Sequence, residues 1–258
     1  MIVTDDFVFL NYPRTGSTFV REALRDVYAK HPERRFEELV LPNSRTLTAR
    51  RQRRMSQHGS RHQIPAGHED KPVFSVVRHP LDRLVSQFAL AFWSQGNDVA
   101  PVAELRSRFP SYPKLSFGEF LDYHGSFAFE DVRQGAELMA HMGTETLHFV
   151  RFYARDPAAA LAELTDEAIE NDAAGFSEGV RFLRNESLAA DLRAILAEVG
   201  FDQDKTRFIE GKAHSNAARS RRGRTWREYF SPDEESAFRV RERLLFRLFP
   251  EYDERPHE

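Results

Sequence analysis

The sequence predicts an α/β fold built on a parallel sheet, and two strand-then-helix units predict it. The apolar run Phe7–Leu10 leads through a turn into a helical pattern over residues 17–30. The β-branched run Val73–Val77 leads into a second helical pattern, with Leu81, Leu84, Val85, Phe88 and Phe92 on one face. Short unbroken apolar runs read as strands buried on both faces. Two such units in succession imply parallel strands joined by right-handed crossovers.

The first strand is read over residues 7–11 and the second over Val73–Val77, with Pro72 before it and Pro80 after it. Phe36–Leu41 is a weaker strand pattern. Gly179–Leu183 is another, and it leads into Ser187–Val199, where Leu188, Leu192, Ile195, Leu196 and Val199 share a face. Gly200 fits a C-cap there. Ser231–Phe249 reads as a final helix, started by Ser-Pro-Asp-Glu and stopped by Pro250. Between these, Asn97–Ser116 is Pro-rich and reads as a loop. Phe117–Tyr123 and Ala136–Met142 read as short helices. Arg155–Gly175, rich in Ala and acids, reads as a surface helix or a lid.

Composition narrows the function classes. The chain has 258 residues, 41% apolar, enough for a substantial core. A net charge of −3 gives no global field to attract nucleic acid. The charge is uneven, however. Arg45–His62 holds six Arg, two His and no acid, and Lys212–Arg227 holds one Lys, five Arg and no acid. Cysteine is absent, which removes disulfides, thiolate nucleophiles and Cys-ligated metals. No apolar run approaches the ~18 residues of a membrane span. Two acids and no basic start in Met1–Asp6 argue against a signal peptide. The expectation is a cytoplasmic enzyme.

The first turn holds the densest chemistry. Tyr12-Pro13-Arg14-Thr15-Gly16-Ser17-Thr18-Phe19 joins a strand to a helix N-terminus. Pro13 and Gly16 force a tight turn, and Ser17 or Thr18 is expected to cap the helix. Free N–H groups and the helix dipole there attract an anion, and Arg14 adds a fixed charge. The nucleoside triphosphate loop Gly-x4-Gly-Lys-Ser/Thr is not matched, because its first Gly and its Lys are missing. A metal-free phosphate or sulfate site is the better reading. The second constellation is Arg78-His79-Pro80-Leu81-Asp82-Arg83-Leu84-Val85-Ser86-Gln87-Phe88. Arg78 ends a strand, where open α/β sheets bind ligands, and Ser86 lies two turns into the following helix. Two anion sites on successive strand ends suit a ligand with two separated anionic groups.

Both segments resemble the sulfotransferase family. Tyr12–Phe19 is similar to its 5′-phosphosulfate loop, Pro-Lys-Thr/Ser-Gly-Thr/Ser-Thr-Trp/Phe. Val77–Phe88 is similar to its 3′-phosphate motif, Arg-Asp-Pro-x-Asp-Arg-x-x-Ser. Phe182–Leu188 looks like the family's Arg-x-Glu-x-Leu step, and His214–Tyr229 looks like the C-terminal nucleotide-closing segment of carbohydrate-type members. The resemblance implies a three-layer P-loop-NTPase-like fold with a central parallel β-sheet flanked by helices, in a single domain over residues 1–258. It implies sulfuryl transfer from 3′-phosphoadenosine-5′-phosphosulfate (PAPS) to an acceptor hydroxyl, on a carbohydrate or small molecule. The product is adenosine 3′,5′-bisphosphate (PAP), and no metal is needed.

By the same resemblance, Arg14, Thr15, Gly16, Ser17, Thr18 and Phe19 hold the 5′-phosphosulfate, Arg78 and Ser86 hold the 3′-phosphate, and Arg221, Arg222 and Gly223 close over the nucleotide. Arg14 stands where the family has Lys. It offers bidentate charge but cannot act as a general acid near neutral pH. His79 stands where many members have Asp. A general base is required, and His68, in Ala66-Gly67-His68-Glu69 ahead of the second strand, is the candidate, with Glu69 and His214 as alternatives. Trp226 is placed near the adenine. The basic stretch Arg45–His62 reads as a solvated or mobile loop or as an acceptor surface for an acidic glycan or another anion; a basic arm for nucleic acid is a third reading, opposed by the absence of aromatics from the segment and by a domain that is not basic overall. Two other functions stay open at this point. A nucleotide or small-molecule kinase would show Mg²⁺-dependent ATP turnover, and a non-catalytic nucleotide binder would bind PAP without transfer.

Overall fold

A computed structural model describes residues 1–42, 55–95, 100–127, 141–212 and 224–253. The chain forms two compact units. The first holds Met1–His79, Val150–Glu163 and Ala174–Asn216, and the second holds Pro80–Phe149, Leu164–Ala173 and Ala217–Glu258.

The first unit contains a five-stranded sheet. Its strands are β1 (Ile2–Thr4), β2 (Val8–Leu10), β3 (Phe36–Glu38), β6 (Val73–Val77) and β7 (Val180–Arg184), in the order β3-β1-β2-β6-β7. A separate short pair joins β4 (Leu41–Pro42) to β5 (Met55–Ser56). The expected parallel core is present: β2 pairs with β6, and β6 with β7, both parallel. β1 and β3 extend the sheet with antiparallel pairings that the apolar patterning did not reveal. β1 is only three residues long and turns through Asp5-Asp6 without Gly or Pro. The Thr4 hydroxyl closes that turn instead, donating to the Phe7 carbonyl at 2.9 Å and accepting the Phe7 N–H at 3.0 Å.

Strand alternation explains the layers. Phe9, Phe74, Val76 and Leu183 point to one face, where α1 (Ser17–Tyr28) and the helix Leu188–Glu198 cover them with Phe19, Val20, Leu24, Leu192 and Leu196. Leu24 and Leu196 have no exposed surface. Burial of each contributes about 1.5–3 kcal/mol. On the other face, Ser75 donates to the Leu10 carbonyl at 2.8 Å and shares a 2.9 Å hydrogen bond with the Tyr153 hydroxyl. Tyr153 also packs edge-on to Phe182, and Phe152 lies against Tyr12. The last turn of the helix Thr144–Tyr153 is therefore the third layer.

The second unit is built on aromatic packing. Leu81, Leu84 and Val85 of the helix Pro80–Leu90 pack with Trp93, Leu105, Phe109, Phe120, Tyr123, Trp226 and Phe230. Trp226 is thus a core residue, with the Arg227 guanidinium over its ring, rather than a wall for adenine. The stretch read as a loop contains the helix Val102–Arg108, whose two turns bury Leu105 but are too short to show a period. The Ala- and acid-rich stretch folds as two short helices, Pro157–Ala162 in the first unit and Asp166–Asp172 in the second. The C-terminal helix starts with the expected Ser231/Glu234 capping box but breaks at Glu242, giving Pro232–Arg241 and Arg243–Leu248. Among the described residues, no helix is long and apolar enough to cross a membrane.

Candidate active site

The three parallel strands end at one edge of the sheet, and each is followed by one of the segments singled out above. β2 runs into Asn11–Ser17, β6 into Arg78, and β7 into Asn185. Between β2 and α1 the backbone is contorted. Arg14 has φ 68°, a left-handed conformation uncommon for a residue with a Cβ, and Gly16 has φ 100°. Such turns aim successive N–H groups into one concavity, an anion nest at the N-terminus of a 12-residue helix. Such a conformation at a non-glycine residue persists where the surrounding structure holds it.

Side chains fix the loop from inside. Thr15 Oγ1 and Ser17 Oγ both donate to the Tyr12 carbonyl, at 2.8 and 3.0 Å. Gly16 is therefore the N-cap, and no side chain caps α1, contrary to the expected role of Ser17 or Thr18. Capping by a hydroxyl would occupy an N–H that an anion can use instead. The other two strand ends hold the loop from outside. Arg78 Nη1 donates to the Arg14 carbonyl at 3.2 Å, and Asn185 Nδ2 donates to the Thr15 carbonyl at 2.7 Å. A Cβ on Gly16 would lie 2.5 Å from Asn185 Nδ2, so a side chain there is excluded by both φ and space. The Arg14 and Thr15 carbonyls are thus turned to Arg78 and Asn185.

A histidine reaches this edge. Asn11 Nδ2 donates to the Gln57 carbonyl at 3.2 Å, and His58 Nδ1 donates to the Asn11 carbonyl at 2.7 Å. That bond places the Nδ1 proton and leaves Nε2 of the neutral ring as an acceptor.

A sequence model of the sulfotransferase family matches residues 1–248. The chain belongs to this family. Nothing matches it among curated proteins or among solved structures.

The structure treats the expected site residues of this sulfotransferase differently. Arg14, Thr15, Gly16, Ser17 and Arg78 come together as described; Thr18 is half-buried on the first turn of α1. Phe19 does not face a ligand: its ring is 2% exposed in the core, and its N–H bonds the Gly16 carbonyl at 2.9 Å. Ser86 lies in the second unit, 3% exposed on the helix Pro80–Leu90. Arg221, Arg222 and Gly223 lie outside the described residues, as does His214.

His68 is not brought to the loop. It precedes β6, whereas Arg78 follows it, and β6 alone spans about 13 Å. The Arg35 guanidinium lies 3.3 Å from His68 Nε2, and Arg35 precedes Phe36, which pairs with Thr4 at the far end of the sheet. Glu69, the alternative, shares that end. The expectation followed a Gly-His pair in sequence; position along a strand decides the edge, and only the topology supplies that. His58 was counted among the basic residues of Arg45–His62. Its one local signal is Gly59, where a Cβ would lie 2.6 Å from Leu41 Cδ1 and 3.3 Å from Met1.

Proposed function

We propose that this sulfotransferase transfers the sulfuryl group of PAPS to an acceptor hydroxyl, on a carbohydrate or another small molecule. The observation that carries the reading is the Arg78-to-Arg14 carbonyl bond, which joins the two anion motifs at one sheet edge. The nest over Arg14–Ser17 receives the 5′-phosphosulfate. Arg78, 8% exposed, receives the 3′-phosphate, and the family resemblance gives Ser86 the same group and Arg221–Gly223 the closing role.

In the reaction the acceptor oxygen attacks sulfur in line with the 5′-phosphate oxygen. One O–S bond forms, the S–O bond to the phosphate breaks, and PAP leaves. His58 Nε2 takes the acceptor proton. Negative charge growing on the leaving oxygen is met by loop N–H groups and by the Arg14 guanidinium, which replaces the usual Lys as an electrostatic group and not as an acid. Preorganised N–H groups suit such charge because they do not reorganise as it develops.

The test is PAP release from PAPS across a panel of sugar, phenol and lipid hydroxyls. Transfer to at least one acceptor, lost in His58→Ala with PAP affinity kept, is expected. Binding of PAP with no transfer to any acceptor would favour the non-catalytic binder, and ATP turnover with Mg²⁺ would favour a kinase.

A further inference from the structure

The second unit holds a cluster of metal-ligating side chains that the proposed reaction does not use. Glu145 and His148 lie one turn apart on the helix Thr144–Tyr153, so they share a face. His124 stands in the last turn of the helix Phe117–Phe127. Each of the three offers one ligand atom, and these atoms all lie within 4.8 Å of one another. His124 Nε2 is 2.9 Å from Glu145 Oε1, and the two imidazole centroids are 6.1 Å apart. A four-coordinate zinc ion, with bonds of about 2.0–2.2 Å, spaces its ligand atoms about 3.4 Å apart, so shifts of about 1 Å let the three side chains share one ion.

The surroundings support these side chains as a ligand set. Glu145 is buried, whereas His124 and His148 are only partly so. Phe120 stacks on the His124 ring at 5.5 Å between centroids and sets its plane. Behind the carboxylate, Gln87 Nε2 donates to Oε1 at 2.9 Å and Arg83 pairs with Oε2. Carboxylates that bind metals are held by outer bonds of this kind. The backbone under Glu145 is fixed as well. Its N–H donates to Glu242 Oε1 at 3.1 Å, and the Thr146 N–H donates to Oε2 at 2.6 Å. Arg83 and Gln87 already neutralise and satisfy the buried acid, so two imidazoles converging on it exceed what its burial requires. We propose that His124, Glu145 and His148 form a site for a divalent transition metal, with zinc the best match to two imidazoles and one carboxylate. Bound there, the ion ties the helix Phe117–Phe127 to the helix Thr144–Tyr153. His124 then carries its proton on Nδ1 and gives Nε2 to the ion. The Arg83 charge weakens the pull on a cation, so a chelator should remove the ion. All of these residues lie in the second unit, and the site is independent of the nucleotide reading above.

Titration of Zn²⁺ into chelator-stripped protein, followed by calorimetry and by thermal melting, tests it. One Zn²⁺ per chain is expected, with a raised melting temperature. Mg²⁺, which takes oxygen ligands, should produce neither response. His124→Ala and His148→Ala should each lose the zinc response. Gln87→Ala, which removes an outer bond and no ligand, should weaken zinc about tenfold. A cooperative melt without zinc shows that a variant is folded, and His148→Gln carries the test if His148→Ala is not. Wild-type protein that binds no Zn²⁺ overturns the proposal. So does zinc bound as tightly by the folded His124 and His148 variants as by the wild type, because the ion then sits on other residues. An equal response to Mg²⁺ also overturns it, since the imidazoles would then play no part.

Discussion

At the sheet edge of the first unit, the arginine at the end of β6 bonds a backbone carbonyl; in the second unit, Arg83, five residues on, bonds a carboxylate. Arg78 donates to the Arg14 carbonyl. Arg83 is 6% exposed and neutralised by Glu145, itself buried and filled by three donors. The contrast separates two uses of charge within one motif. A carbonyl partner orients a guanidinium without cancelling it. A carboxylate partner cancels it and turns it into scaffolding.

That difference is sharpest in what truncation should do. Glu145→Ala leaves the buried Arg83 charge without its acid and should cost about 3–5 kcal/mol of stability, read as a lowered melting temperature. An unchanged melting temperature would mean that Arg83 is not held by this pair. Arg14→Ala should leave the melting temperature nearly unaltered and lower turnover about 10²–10³-fold, the cost of removing one preorganised group at developing charge. Arg14→Lys should recover most of that rate. Turnover unaffected by Arg14→Ala would remove the side chain from catalysis. Arg78→Ala should weaken PAP by about 1.5–3 kcal/mol, the range for a hydrogen bond to a charged group, with a smaller effect on stability than Glu145→Ala.

The smallest effect concerns pH. Burial pushes the Glu242 carboxyl up to about 7, against the opposing pull of its bonds to Thr146 and of Arg241 and Arg83. A carboxyl whose folded pKa lies above its unfolded value stabilises the protein while protonated, and that contribution fades as pH rises through about 7. His124 works in the opposite sense. Burial, then Arg83, push it down to about 3, so its contribution is present above 6.5 and is lost as pH falls. From pH 6.5 upward, Glu242 is therefore the group of this pair that titrates. The N-terminal amine, pushed down to about 5 by burial, adds stability with rising pH over the same range. The wild type should therefore lose stability there relative to Glu242→Gln, and parallel curves for the two proteins would contradict the assignment.

The sequence made the loop legible because its chemistry is local. Pro13, Gly16 and the flanking apolar runs specify a strand, a turn and a helix within thirteen residues. Arg78 was legible for the same reason, standing at the end of a β-branched run. The histidine proposed as the base was not legible. His58 reaches the loop edge through its bond to the Asn11 carbonyl, next to the pairing of β4 with β5. His68 was misplaced because a residue before a strand and one after it lie at opposite edges. The break at Glu242 was hidden because the helical pattern continues through it; what ends the helix is a carboxylate turned toward two distant N–H groups. Antiparallel β1 was hidden by its length of three residues.

On the proposed reading, Arg14 and Arg78 form one site for the two phosphate-linked ends of a single nucleotide. Calorimetric titration of PAP into the wild type, Arg78→Ala and Arg14→Ala tests it most directly. One PAP per chain is expected, bound more tightly than adenosine 5′-monophosphate, with Arg78→Ala reducing the preference and Arg14→Ala weakening both ligands. PAP bound no more tightly than the monophosphate by the wild type, or a preference untouched by Arg78→Ala, would contradict it.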